Sequence, residues 1–178
     1  MAEMFQEKWM KGVAVTTTCL AVMTAIAASR GTACVSKTQL LTAVEGSKWA
    51  YYQAKSIKQN LAEVQKNLFE AEILGAANEE QKTAYADKIK AAAGEISRYE
   101  DEKNKIMKEA QEVGIENGLL NKKGTRFSGS VVFFQIGIML SSVAALLKRK
   151  DMWIAGLVFG AIAIVLLVSG LILKPLLF

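Results

Sequence analysis

The chain has 178 residues, a formal charge of +5 and a mean hydropathy of +0.22, but these averages conceal a division into blocks. Residues 12–29, 128–147 and 152–173 contain no Asp, Glu, Lys, Arg or His, whereas residues 30–126 hold 16 of the 22 basic and 14 of the 17 acidic residues. Apolar blocks of that length, roughly the 20 residues that a 30 Å hydrocarbon core requires, argue against a soluble globule, whose helices mix polar and apolar residues at short range. The near cancellation of charge in residues 30–126 argues against nucleic-acid binding. Two cysteines and no histidine leave neither a disulfide framework nor a zinc site.

Residues 1–11 form a polar lead that ends near Trp9, an indole suited to the headgroup level. The first expected membrane helix, residues 12–29, carries Thr17, Ala21, Ala25 and Ser29 at intervals of four. Such a face of small side chains lets helices approach closely in lipid, although an Ala-rich helix also produces the spacing by chance. Ala25-Ile26-Ala27, with Lys8 and Lys11 ahead of the run, resembles a signal-cleavage pattern. The run stands in the chain from Met1, so a retained anchor is expected, and Arg30 ahead of Cys34 removes the lipoprotein reading.

Residues 30–126 are expected to stand outside the bilayer. Gly31 and Thr32 loosen the chain, and Ser36 with Gln39 reads as a capping box that starts a new helix. Ala50, Ala54, Ile57, Leu61, Val64, Leu68 and Ala71 then follow alternating intervals of four and three. Gly75 is expected to end this helix in a left-handed turn, and Asn78 to cap the next. The second arm repeats the pattern through Tyr85, Ile89, Ala92, Ile96, Tyr99, Lys103, Ile106, Ala110 and Val113. Two heptad-bearing helices joined by so short a turn must run antiparallel. The expectation is a coiled-coil hairpin with Ile57, Leu61, Val64, Leu68, Ile89, Ile96 and Ile106 in its seam. That seam is thin in large side chains, so further partners are anticipated.

Gly114, Gly118 and Asn121-Lys122-Lys123-Gly124 are expected to end the hairpin. The second membrane helix covers 127–147, with Gln135 as its only strongly polar side chain. The basic loop 148–151 is too tight for anything but a membrane hairpin. The third membrane helix and C-terminus cover 152–178, with Gly156 and Gly160 as a GxxxG pair and Pro175 beyond the span. The fold class is therefore all-α, three transmembrane helices with a long helical hairpin between the first and second. The basic loop and Lys8 and Lys11 place the N-terminus inside by the positive-inside rule, and the hairpin outside, in a periplasm. Arg30, Lys37, Lys122, Lys123 and Arg126 oppose that orientation.

The run Trp49-Ala50-Tyr51-Tyr52-Gln53-Ala54-Lys55-Ser56-Ile57-Lys58 resembles the signature of a bacterial family of uncharacterised membrane proteins, a domain of unknown function. Glu7-Lys8-Trp9, the Phe134-Gln135-Ile136 step and the basic turn before an aromatic third span are similar to that family too. The resemblance implies an architecture and no activity. Many members carry a longer His- and Glu-rich tail that this chain lacks, so a metal role of that tail is not implied here. By heptad count Trp49 and Tyr52 fall off the expected seam. A patch of two rings marks a subunit contact, internal packing or a ligand.

No enzyme class finds its parts: without histidine the Ser–His and Cys–His pairs are missing, and adjacent Asp101 and Glu102 point apart on a helix. No cofactor is expected. A transporter would place ionisable groups within its spans, and none is present, so Gln135 and Thr16–Thr18 would line a path only in an oligomer. The leading expectation is a non-catalytic homo-oligomer with a structural role at the membrane. Its contacts would be Trp49, Tyr52, Thr17, Ala21, Ala25, Gly156 and Gly160, and its partners itself and membrane lipid. The alternative is an accessory or sensor subunit whose hairpin binds an unknown protein.

Overall fold

A computed structural model of the chain describes residues 2–76 and 78–173, with side chains from Trp9 onward. Residues 174–178, Pro175 among them, lie outside the described residues. Three helices make up the described chain: α1 (Ala2–Leu74), α2 (Glu79–Leu147) and α3 (Lys150–Ile172). Each is long and apolar enough, over part or all of its length, to cross a membrane. The all-α expectation with three spans holds.

Two expected helix breaks do not occur. α1 continues through Gly31 and Thr32, and α2 continues through Gly114, Gly118 and Gly124. A glycine inside a helix costs only about 1 kcal/mol against alanine, whereas a break orphans several backbone groups. At three of these positions the missing side chain serves packing instead. A Cβ on Gly31 would lie 3.5 Å from the Phe127 Cβ, one on Gly124 3.4 Å from the Cys34 Cβ, and one on Gly114 3.0 Å from a Glu45 carboxylate oxygen.

The turn after α1 also differs in mechanism. No described glycine has a positive φ, Gly75 included. The last turn of α1 tightens instead, with Gly75 N–H donating to the Glu72 carbonyl at 3.1 Å and Ala76 N–H to that of Ile73 at 3.4 Å. Asn78 caps α2 as expected: its side-chain oxygen accepts from the Gln81 N–H at 2.9 Å. Glu79 and Glu80 complement the dipole of that end.

The positive φ falls on Lys148, at 52°, between α2 and α3. Arg149 N–H reaches back to the Ala144 carbonyl at 3.1 Å, the six-to-one bond of a Schellman turn. A lysine thus occupies the position that glycine favours. This two-residue link folds α3 straight back on α2, as the tight basic loop required.

The chain divides into two compact units, Leu41–Ile115 and the residues on either side of it. The outer residues form the membrane unit. Its core joins Leu20 and Ala27 of α1, Phe134 of α2, and Ala163 and Leu167 of α3. Gly137 and Gly156 bring α2 and α3 backbone to backbone, because a Cβ on Gly137 would lie 2.9 Å from the Gly156 carbonyl oxygen. Gly160 receives Leu20, and Gly170 receives the Phe127 ring. Residues 30–40 and 116–126 pack with the unit that contains the spans, so the second compact unit is shorter than residues 30–126.

Candidate functional site

In the second unit the two arms pack antiparallel, but only one arm presents the expected face. On α2 the face toward the first arm contains Tyr85, Ile89, Ala92, Ile96, Tyr99, Lys103, Ile106 and Ala110, all buried or half-buried. Ile89, Ile96 and Ile106 thus occupy the seam. On α1 the seam instead follows Glu45, Lys48, Tyr52, Lys55, Gln59, Ala62, Lys66, Phe69 and Ile73. This is also a four-three repeat, but most of its members are polar.

The expected first-arm seam faces outward. Ile57, Leu61, Val64 and Leu68 are 68%, 57%, 63% and 54% exposed. At 100° per residue the two repeats on α1 lie on nearly opposite sides of the helix. The correction has a physical reason. Lys48 and Lys55 stand seven residues apart on one arm, and Glu102 and Glu109 seven apart on the other. The antiparallel register therefore pairs both at once: Lys48 Nζ lies 2.6 Å from Glu109 and Lys55 Nζ 2.5 Å from Glu102. Lysine stems cover apolar surface while their ammonium groups reach carboxylates at the rim.

The densest part of this seam lies in the Trp49–Lys58 run. The Lys55 ammonium sits 5.3 Å from the Tyr51 ring centre and 5.5 Å from that of Tyr99, while paired to Glu102. The Glu102 carboxylate beside it holds the Lys55 ammonium above the usual lysine range. Lys55 in turn holds Glu102 below the usual carboxylate range, and Lys48 does the same to Glu109. Lys103 donates to the Gln59 side chain at 3.0 Å and lies over the Tyr52 ring at 5.3 Å. At the turn end Phe69 and Tyr85 meet with ring centres 6.3 Å apart.

The remaining expected contacts separate into used and unused groups. Tyr52 lies on the seam, packed edge-on against Trp49 at 5.7 Å, and both rings are half-buried. This is the internal packing that stood beside a subunit contact in the sequence. Gly156 and Gly160 are buried within the membrane unit and serve contacts inside one chain. Thr17 is half-buried, and Ala21 and Ala25 are exposed on its surface. The hydroxyls of Thr16, Thr17 and Thr18 donate to carbonyls of their own preceding turn, and Thr16 also accepts from the Trp153 indole at 3.1 Å. Trp153 stands 6.3 Å from Trp9, so the N-terminal lead and the basic turn share one end of the unit.

What the sequence missed is the polar first-arm seam and the outward stripe opposite it. The seven-residue spacing of lysines on one arm and glutamates on the other was the signal available for it. The arrangement binds helix to helix within one chain. The family described as Domain of unknown function (DUF4337) matches residues 9–173. No curated protein and no solved structure matches the chain.

Proposed function

This chain belongs to the DUF4337 family, and we propose that it is a non-catalytic membrane protein that assembles from copies of itself and serves a structural, scaffolding role. The observation that carries this reading is Gln135. Its side chain lies near the middle of the second apolar run, is exposed on the membrane unit, and makes no hydrogen bond among the described residues. An unpaired amide in hydrocarbon costs roughly 2–7 kcal/mol. A second copy carries the same amide at the same depth and supplies both donor and acceptor. Interhelical bonds of this kind contribute about 1–2 kcal/mol in model peptides. The exposed Ala21 and Ala25 add small surface for close approach, and the lack of any histidine supports the non-catalytic part.

The setting we propose is a bacterial inner membrane with the N-terminus and the 148–151 turn in the cytoplasm and the hairpin in the periplasm. The cluster Lys148–Lys150 and the indoles of Trp9 and Trp153 at the same end support it. A membrane-impermeant thiol reagent added to intact cells should label Cys34 and leave Cys19 untouched. Labelling of Cys34 only after permeabilisation would invert the orientation.

The test of function is the particle mass in mild detergent. A whole-number multiple of 19.4 kDa containing one polypeptide is expected, with Gln135→Leu reducing it. A single-copy particle overturns the reading. A particle with a second polypeptide overturns it in favour of an accessory subunit.

A further inference from the structure

We propose that the outward stripe of the first arm, centred on Ile57, Leu61, Val64 and Leu68, is a coiled-coil contact with the same stripe of a second copy. This deepens the self-assembly reading and rests on it. The stripe begins well before these four residues and ends after them: Ala43, Ser47, Ala50, Ala54 and Ala71 continue the same alternation of four and three, and all are exposed. A repeat of that period presents a straight ridge to a partner helix and to no other common surface, because only another helix offers holes at the same spacing. Each of the four aliphatic side chains is more than half exposed, and the hairpin's own seam on this arm is mostly polar. The arm therefore carries two seams, and its more apolar one is uncovered among the described residues.

The flanks of the stripe identify the occupant. They hold Gln53, Asn60, Gln65 and Asn67, with Lys58 and Glu72 as the only charges. A helix lying on an anionic bilayer carries lysine and arginine along these edges. A dedicated partner protein is selected by a charge bias that its own flank complements. Here the two charges are opposite and cancel, and the amides accept and donate alike, so an identical stripe meets no repulsion. Copies that share one membrane face the same way, and the rotation that relates them brings the same stripe of each to a common axis.

The test uses the full chain in membranes, with Cys19→Ser and Cys34→Ser to remove native thiols. Single cysteines replace Ile57, Leu61, Val64 or Leu68, tested alone and mixed in pairs, with Asp101→Cys on the exposed back of the second arm as control. Mild oxidation should link two copies through stripe cysteines at least tenfold more than through the control. None of these positions lies in the hairpin seam, so the fold is left intact. If the protein keeps an oligomeric mass while stripe and control cysteines link equally, the stripe contact is overturned and self-assembly stands. A monomeric mass overturns both. Linkage to a polypeptide of another mass overturns the homomeric contact in favour of a different protein.

Discussion

In the membrane unit, the glycines that the sequence pattern offers to a neighbour are consumed by the chain itself, while Ala21 and Ala25 stay exposed. Gly137, Gly156 and Gly160 close the gaps between spans, and Leu20 and Phe127 fill what the glycines leave open. In the hairpin the reverse holds. The apolar repeat that should have joined the arms points outward, and lysines, glutamates and tyrosines join them instead. The difference follows from the solvent. In lipid, apolar side chains gain little by meeting one another, so close backbone approach decides the packing. In water an exposed aliphatic stripe is costly unless something covers it. The membrane unit thus spends its glycines on contacts inside one chain, while the hairpin leaves an aliphatic stripe exposed.

The sharpest way to break this comparison is to fill a gap in the membrane unit. Gly137→Val would push side-chain atoms into the Gly156 backbone, 2.9 Å from an ideal Cβ. A loss of about 3 kcal/mol is expected, at the upper end of overpacking effects, and is read from unfolding of the detergent-solubilised protein. Next comes a matched pair in the hairpin. Ile106 is only 7% exposed, so Ile106→Ala should cost about 2 kcal/mol. Leu61→Ala, on the outward stripe, should change the stability of the hairpin within one copy by no more than about 0.5 kcal/mol. Equal losses at both sites, in a protein held monomeric by dilution, would return Leu61 to the internal seam.

A smaller effect concerns the turn between α2 and α3. Lys148→Gly removes a side chain from a left-handed backbone and should stabilise the membrane unit by about 1 kcal/mol. The gain shows as a raised unfolding midpoint. Last is the pH response of the ion pairs. Glu102 and Glu109 have lowered pKa values in the fold, so their contribution is complete above the ordinary carboxylate value of 4.5. It is lost as pH falls through the lowered values. Lys55 has a raised pKa, so its share is complete below 10.5 and is lost as pH rises through the raised value. Thermal unfolding of Glu102→Gln should therefore show a shallower acid-side decline than the parent protein. An unchanged decline would assign the acid sensitivity to other carboxylates.

Much of the fold was legible because apolar blocks of membrane length leave few alternatives. The three spans, the antiparallel arms, the Asn78 cap and the whole second-arm seam from Tyr85 to Ala110 were readable from spacing alone. The first-arm seam was not, for a reason that lies in the side chains. Two four-three repeats share that helix, and the apolar one gives the stronger periodic signal. Lys48, Lys55, Gln59 and Lys66 read as a solvated face until the positions of Glu102 and Glu109 are set beside them. The glycines misled for a related reason. By spacing Gly31 loosens the chain and Gly114 and Gly124 end the hairpin, but each marks a close neighbour. Which of the small residues remain free for a second copy depends on how three spans interlock. Spacing within one span carries no record of that.

The most direct test of the account is the native mass of the full chain in mild detergent, compared with Ile57→Glu, Leu68→Glu in the same chain. Both substitutions lie on the outward stripe and outside the hairpin seam. The account predicts that the parent protein is a homo-oligomer, that the variant falls to smaller particles, and that helix content is the same in both. A parent protein that is monomeric, or a variant that keeps the parent's mass, would contradict it.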